Sequence, residues 1–294
     1  MEYCEAKTIL SNKKDGKYWF GEDFNMNIYR GCSHGCIYCD SRSDCYGVSN
    51  FDVVKPKKDA LLILEKELRS KRTKGVVGIG SMSDSYNPLE NILFLTRGVI
   101  ELLNKYGFGL SLSTKSALIE RDIDVLKKLN ETENVIVKFT ITCSDDFLSK
   151  KIEPFSSLSS ERFRALKKIS DEGIFVGVLL MPILPFINDT EDNIRNIIKR
   201  SFESGAKFIY PFFGVTLRDN QRDYFYGQLD ILYSNLKHKY IKTFGNSYKC
   251  DSNNASKLYN FFVEECKRYG LLYKMDDIIN AYKNKKKDEQ ISLF

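Results

Sequence analysis

No run of apolar residues approaches the ~20 needed to span a bilayer as a helix. The N-terminal stretch "MEYCEAKTILSNKKDG" has neither an apolar h-region nor a small-residue cleavage site. A transmembrane helix and a secretory leader are therefore not expected, and the expected location is cytoplasmic, where thiols stay reduced. Proline is scarce, six in 294 residues, which argues against long disordered linkers. No second C-x2-C pair accompanies the first: Cys4, Cys143, Cys250 and Cys266 are isolated, and each is expected to serve as a small buried hydrophobe. The remaining composition, 43% hydrophobic and 29% charged, is that of an ordinary globular protein with enough chain for a large core. A net charge of +6, with basic clusters at "KPKK", "KRTK" and "KNKKK", is compatible with nucleic acid but fits solvated helix ends equally well.

Half of the eight cysteines fall in "YRGCSHGCIYCDSRSDCYG", residues 29–47. Cys32, Cys36 and Cys39 are spaced C-x3-C-x2-C, and Cys45 follows six residues on. In a reducing compartment such a group points to metal ligation or catalysis rather than disulfides.

The chain around this stretch alternates between two periodicities. Strands are expected at "FNMNIYR" (24–30), "VVGIGS" (76–81), "FGLSLST" (108–114), "VIVKFTIT" (135–142), "IFVGVLLM" (174–181) and "AKFIYPFFGV" (206–215). Helical segments separate them. One is expected to start near Pro56. A second is expected across residues 87–107, capped by Asn87, with Pro88 in its first turn, Glu90 three residues after the cap and Gly107 as its stop. Further helices are expected at 120–131, 159–173 (with a Ser cap) and 189–205. Six βα units imply parallel strands with right-handed crossovers. They are too few for an eight-unit barrel, so an open partial barrel is expected, with a doubly wound sheet as the alternative. In both, function belongs at the carboxyl ends of the strands, where the cysteine stretch follows the first strand. Beyond residue 217 the chain reads as amphipathic helices whose Phe and Tyr face a core.

Three clustered thiols leave two chemistries open. A structural zinc ion needs a fourth ligand, from Cys45 or, awkwardly, His34. A 4Fe-4S cluster held by three cysteines leaves one iron free for a substrate or cofactor. Gly31 and Gly35 suit a loop in which backbone N–H groups approach cluster sulfides.

C-x3-C-x2-C with Tyr38 before the last Cys, placed after the first strand of a βα series, resembles the radical S-adenosylmethionine (SAM) superfamily. "NIYRGCSHGCIYCDSR", "GSMSDSYNPLE", "STKSALIERDIDVL", "KKIEPFSS", "SERFRALKKISDEGI" and "LPFINDTEDNI" together resemble its spore photoproduct lyase-like group. The resemblance implies a partial (β/α)6 barrel with a helical C-terminal extension. It also implies a 4Fe-4S cluster on Cys32, Cys36 and Cys39, and SAM cleaved to a 5′-deoxyadenosyl radical that abstracts hydrogen from a substrate, with DNA as a candidate. Implied SAM contacts are Tyr38, Ser83, Asp84, Lys115 and Thr140, with Thr142 a weaker choice than Thr140. The implied reductant is a protein such as ferredoxin or flavodoxin.

Two positions depart from the lyase pattern. Ser81 stands where the lyase has a hydrogen-donating Cys, with Met82 beside it, and Asp40 replaces a Tyr after the last cluster Cys. Repair of spore photoproduct by the known route is therefore in doubt. The C-terminal "QISLF", Gln290, Ile291, Ser292, Leu293 and Phe294, resembles a bacterial sliding-clamp-binding motif. The expected organisation is an N-terminal extension (1–23), the barrel (24–216), a helical extension (217–283) and a flexible tail (284–294). The reading from another functional class is a non-catalytic zinc or iron–sulfur module that binds nucleic acid.

Overall fold

A computed structural model describes residues 2–13 and 19–291. Seven strands form one sheet in the order in which they occur along the chain: β1 (Leu10–Asn12), β2 (Phe24–Met26), β3 (Val76–Ile79), β4 (Gly109–Thr114), β5 (Val135–Thr140), β6 (Phe175–Leu180) and β7 (Phe208–Pro211). β1 runs antiparallel to β2, and the other six are parallel. The order never reverses, so there is no switch point of the doubly wound kind. Right-handed crossovers between successive neighbours put the helices on one side. The result is a partial α/β barrel, with all six expected strands present and the residues assigned to the N-terminal extension supplying an extra edge strand.

The helices that follow β2 to β6 are α1 (Ala60–Ser70), α2 (Leu95–Tyr106), α3 (Ile123–Thr132), α4 (Ser159–Asp171) and α5 (Glu191–Glu203). α6 (Gln221–Leu232), α7 (Leu236–Phe244), α8 (Ala255–Arg268) and α9 (Met275–Ile291) complete the C-terminal part. Every residue of β5 is buried, as expected of a central strand covered on both faces. Val135, Val137 and Phe139 belong to the large outer core beneath the helices, and Ile136 belongs to a separate cluster with Phe20, Leu179 and Phe208.

Several boundaries differ from the sequence expectations. Pro56 is not in a helix: Lys55–Pro56 pairs with Tyr29–Arg30 in a separate ribbon, so the expected strand 24–30 is also divided. The helix expected from Asn87 to Gly107 is broken. Phe94 adopts a left-handed conformation between a short turn of helix, Glu90–Leu93, and α2. Glu90 is not a capping residue. It is fully buried, accepts hydrogen bonds from Tyr29 Oη and Thr96 N, and pairs with Arg121. Ser159 does not cap α4; Glu161 reaches back to the backbone N–H of Leu158 instead. The last expected strand stops at Pro211, and Gly214–Thr216 pairs with Lys249–Asp251 outside the barrel sheet. Cys143, Cys250 and Cys266 are buried as expected, but Cys4 is only half-buried.

The amino end of the barrel is closed by segments far apart in sequence. Phe20, fully buried, packs with Phe208, Ile278 and Tyr282, and Tyr282 Oη donates to Phe20 O at 2.6 Å. Above this plug Lys138 Nζ lies 3.0 Å from Glu22 Oε1 and 2.6 Å from Ser111 Oγ.

Gly80, just past β3, has φ +89°, and a Cβ there would lie 2.0 Å from Ser113 O on the neighbouring strand. Gly80→Ala is expected to cost about 2 kcal/mol or more, read as a lowered denaturation midpoint with unchanged m-value.

Candidate active site

The carboxyl ends of the parallel strands carry the long loops. The loop after β2 contains Cys32, Cys36 and Cys39. Gly31 has φ +80°, and a Cβ there would collide with the carbonyls of Phe51 and Val53, so the chain passes closer than another residue would allow. Cys32 N donates to Phe51 O at 2.8 Å, Ile37 N to Ile152 O at 3.0 Å and Cys39 N to Cys36 O at 3.3 Å. The loop is thus held by backbone bonds, with the thiols left to other uses. Cys36 is buried, and Cys32 and Cys39 are half-buried. Burial pushes the Cys32 thiol up to about 11, and raises Cys36 well above the ordinary thiol range against the pull of Lys115.

The loop after β3 joins this one. Ser83 Oγ donates to Gly31 O. Asp84 is buried, and its carboxylate accepts from Tyr86 N (2.9 Å), Thr114 Oγ1 (2.7 Å) and Lys115 N (2.7 Å). His34 Nδ1 lies 3.5 Å from Asp84 Oδ2. Burial lowers the His34 pKa, and Lys115 and Arg162 add to this against the opposing pull of Asp84, so the imidazole is neutral at pH 7. Asp84 is therefore a hub: it ties the cysteine loop to the ends of β3 and β4, and it engages His34.

Lys115 follows β4. Its Nζ lies 5.9 Å from the centre of the Tyr38 ring, and among the described residues no carboxylate pairs with it within 4 Å. Burial lowers its pKa, but Cys36, Glu153, Cys39 and Asp84 outweigh this and raise it. An ammonium beside the cysteine loop, without an ion-pair partner of its own among the described residues, suits an anionic ligand.

Beneath Tyr38 is a buried network that the sequence reading missed. Tyr38 Oη donates to Glu153 Oε1, and Glu153 Oε2 lies 2.6 Å from the Arg162 guanidinium. Arg162, with 0% side-chain exposure, also donates to Thr140 O (2.8 Å), Ser157 O (2.8 Å) and Ser156 Oγ. Thr140 thus marks the β5 end of the site, held through its carbonyl. The Thr142 carbonyl is taken by Asn188 and Asn193. From the C-terminal part, the buried Gln221 donates to Tyr38 O at 3.1 Å, and Cys36, Ile37 and Tyr38 share a core with Val215, Phe225, Leu229 and Tyr240. In sequence Glu153 stands in "KKIEPFSS", a motif to which no role was assigned, and that was its only signal.

Cys45 is exposed and lines a groove of about 360 Å³ with Arg218, Arg222 and Tyr248. His34 is engaged by Asp84, and among the described residues no group of three or more Cys, His, Asp or Glu side chains is arranged as a metal-ion site.

The family model of the radical SAM superfamily matches residues 26–199. The chain belongs to this superfamily. The cofactors that go with membership are a 4Fe-4S cluster and SAM. An uncharacterized protein of Methanocaldococcus jannaschii is 35% identical over 176 residues, 58% of this chain and 64% of that protein. An uncharacterized protein of Mycobacterium tuberculosis is 28% identical over 209 residues, 69% of this chain and 61% of that one. The match therefore spans a little under two thirds of each relative's length. The fold is shared with spore photoproduct lyase. One structure, complexed with a dinucleoside spore photoproduct, superposes with a TM-score of 0.66 at 14% identity, covering 90% of this chain and 78% of the lyase. A second, of a lyase mutant, gives 0.67 at 14% identity, covering 92% and 81%. At that identity the likeness is one of fold.

Glu153 is held ionised below its ordinary 4.5: burial opposes this, but Arg162 and Lys115 outweigh it. Its stabilising effect is present above pH 4.5 and is lost as pH falls through the lower folded value. Arg162→Met is expected to cost about 3–5 kcal/mol at pH 7 by stranding the carboxylate. Chemical denaturation across pH 3–7 should show the gap between variant and wild type narrowing towards acid.

Proposed function

We propose that the chain is a radical SAM enzyme in which Cys32, Cys36 and Cys39 hold the cluster at the barrel mouth. The observation that carries this reading is Lys115: an ammonium beside Tyr38 with no ion-pair partner among the described residues, in the field of the Glu153 and Asp84 carboxylates. When bound, the cluster supplies the electron that opens SAM to methionine and a 5′-deoxyadenosyl radical. Three thiols in one loop suit a cluster with one free iron, and the raised pKa values of Cys32 and Cys36 mean that iron binding must release their protons. Lys115 would meet the carboxylate or ribose of SAM, and the Tyr38 backbone would lie near the adenine. Ser83 and Asp84 would organise the methionine end, with Asp84 adding negative charge beside an ammonium group. Thr140 would contribute from β5. The helices α6 and α7, packed on Cys36 to Tyr38, exclude water from that side of the loop.

The substrate reading is DNA, supported by the shared fold with a lyase that binds a dinucleoside photoproduct, and by the positive charge. Photoproduct repair by the known route is disfavoured. Ser81 Oγ is engaged 3.4 Å from Asn25 Oδ1, and neither a hydroxyl nor the Met82 thioether gives up a hydrogen atom readily. The reductant would be a low-potential protein such as ferredoxin or flavodoxin.

The test is anaerobic reconstitution with dithionite and SAM, following 5′-deoxyadenosine by mass spectrometry. Wild-type protein should form it. Cys36→Ala should lose both the product and the brown cluster absorbance, and Cys266→Ala should keep both. A Cys36→Ala protein with a full-strength cluster would refute the ligand assignment, and zinc without acid-labile sulfide would favour the binding-module reading.

We also propose the C-terminal "QISLF" as a sliding-clamp contact. Residues 292–294 of it lie outside the described residues, so its support is the sequence pattern alone. Deleting residues 290–294 should weaken binding to a bacterial clamp by at least tenfold in surface plasmon resonance and leave SAM cleavage unchanged. Absence of binding by the intact chain would dismiss the contact.

A further inference from the structure

Immediately after Cys39 the chain makes a tight turn, Asp40–Arg42, in which Arg42 N donates to Cys39 O at 3.2 Å. The Arg42 side chain is only 8% exposed. Its guanidinium is stacked between two aromatic rings, 3.9 Å from the centre of Tyr224 on α6 and 5.1 Å from that of Phe51. The two terminal nitrogens are both spent on Asp52: Nη1 donates to Oδ2 at 2.8 Å and Nη2 to Oδ1. That end-on pairing leaves the Nε edge over. Nε is buried and has no hydrogen-bond partner.

A buried N–H without an acceptor is costly, about 1–3 kcal/mol, and more for a charged group. Arginine cannot escape by losing its proton. Nothing in the packing forces the cost either, because a methionine would fill the aromatic sandwich without stranding a donor. Arg42 lies in the turn that begins at Cys39. Burial lowers the Arg42 pKa, but the hydrogen bond and charge of Asp52 help to outweigh this, so the guanidinium stays charged.

We propose that the Nε–H of Arg42 is reserved for sulfur at the cluster, on Cys39 or a sulfide, and sets the reduction potential of the bound cluster. This rests on the radical SAM reading above. A hydrogen bond to sulfur and a fixed positive charge both favour the more negative, reduced form, and so raise the potential. Asp52 partly offsets the charge from the outside, where it is more than half exposed, and Tyr224 carries the effect of α6 to the same point. The C-terminal helices would then have an electronic role as well as a covering one.

The experiment is a redox titration of the reconstituted full-length chain, monitored by electron paramagnetic resonance of the reduced cluster, with iron and sulfide counted in each variant. Arg42→Met should keep a full complement of iron and sulfide. Its reduced-to-oxidised ratio at a fixed potential should fall at least tenfold, a negative shift of about 59 mV or more for one electron. Arg42→Lys keeps the charge but not the Nε donor, and should fall between the two. Asp52→Asn removes the offsetting charge and should shift the potential the opposite way, which loss of structure would not do. If Arg42→Met assembles poorly, the opposed shifts of Arg42→Lys and Asp52→Asn decide the matter. A fully loaded Arg42→Met cluster at the wild-type potential, or Asp52→Asn moving the same way as Arg42→Lys, overturns the proposal. A wild-type chain that takes up no cluster overturns the underlying reading instead.

Discussion

The Glu153–Arg162 pair is buried in both partners, so each charge must be satisfied by protein groups alone. Desolvating two such ions costs several kcal/mol each, and their mutual attraction offsets this only where the remaining donors and acceptors are also used. Here most are. Arg162 donates to Thr140 O, Ser157 O and Ser156 Oγ, and Glu153 Oε1 accepts from the phenol of Tyr38, while Oε2 faces the guanidinium without a hydrogen bond. One ion pair therefore connects the cysteine loop, the end of the central strand and helix α4. The position of Tyr38, next to Cys39, follows from it.

Asp84 plays the matching part on the other side of the mouth. Its carboxylate collects two backbone N–H groups and a hydroxyl from the ends of β3 and β4, and His34 from the cysteine loop lies beside it. The two carboxylates hold opposite edges of the same loop, and Lys115, between them, answers electrostatically to both. The cysteine loop therefore sits in a frame of protein hydrogen bonds and ion pairs. The amino end is built on the same scheme with different parts: Glu22 and Lys138 inside the barrel, above the plug of Phe20 and Tyr282.

The C-terminal helices change the meaning of the barrel. Sequence periodicity identified them as aromatic-rich and amphipathic, and their buried Phe225, Leu229 and Tyr240 do face a core. That core includes Cys36, Ile37 and Tyr38 of the cysteine loop. Gln221 holds the carbonyl of Tyr38, and Arg218 pairs with Asp40 at 3.1 Å. Asp40 stands where the lyase pattern has a tyrosine. Here it fastens the loop to the extension, a structural use that is visible only in three dimensions.

The six parallel strands were legible from sequence because β-branched runs and helical periodicity alternate without ambiguity, and the C-x3-C-x2-C spacing is local, so short-range pattern was enough for both. What failed were features decided by distant partners. Glu90 had the spacing of a capping residue, but Tyr29 and Arg121 drew it into the interior. Pro56 was taken by a ribbon with Tyr29, and Phe94 broke a helix that its neighbours would have continued. Glu153, Arg162, Gln221 and Arg42 have ordinary polar surroundings along the chain and could not be singled out. By itself, the sequence determined the alternation of elements, the family and the three candidate ligands, because these depend on neighbours a few residues apart. Only the tertiary structure decided which charges are buried and whom they meet, because that depends on pairs more than a hundred residues apart, such as Tyr38 with Glu153 and with Gln221.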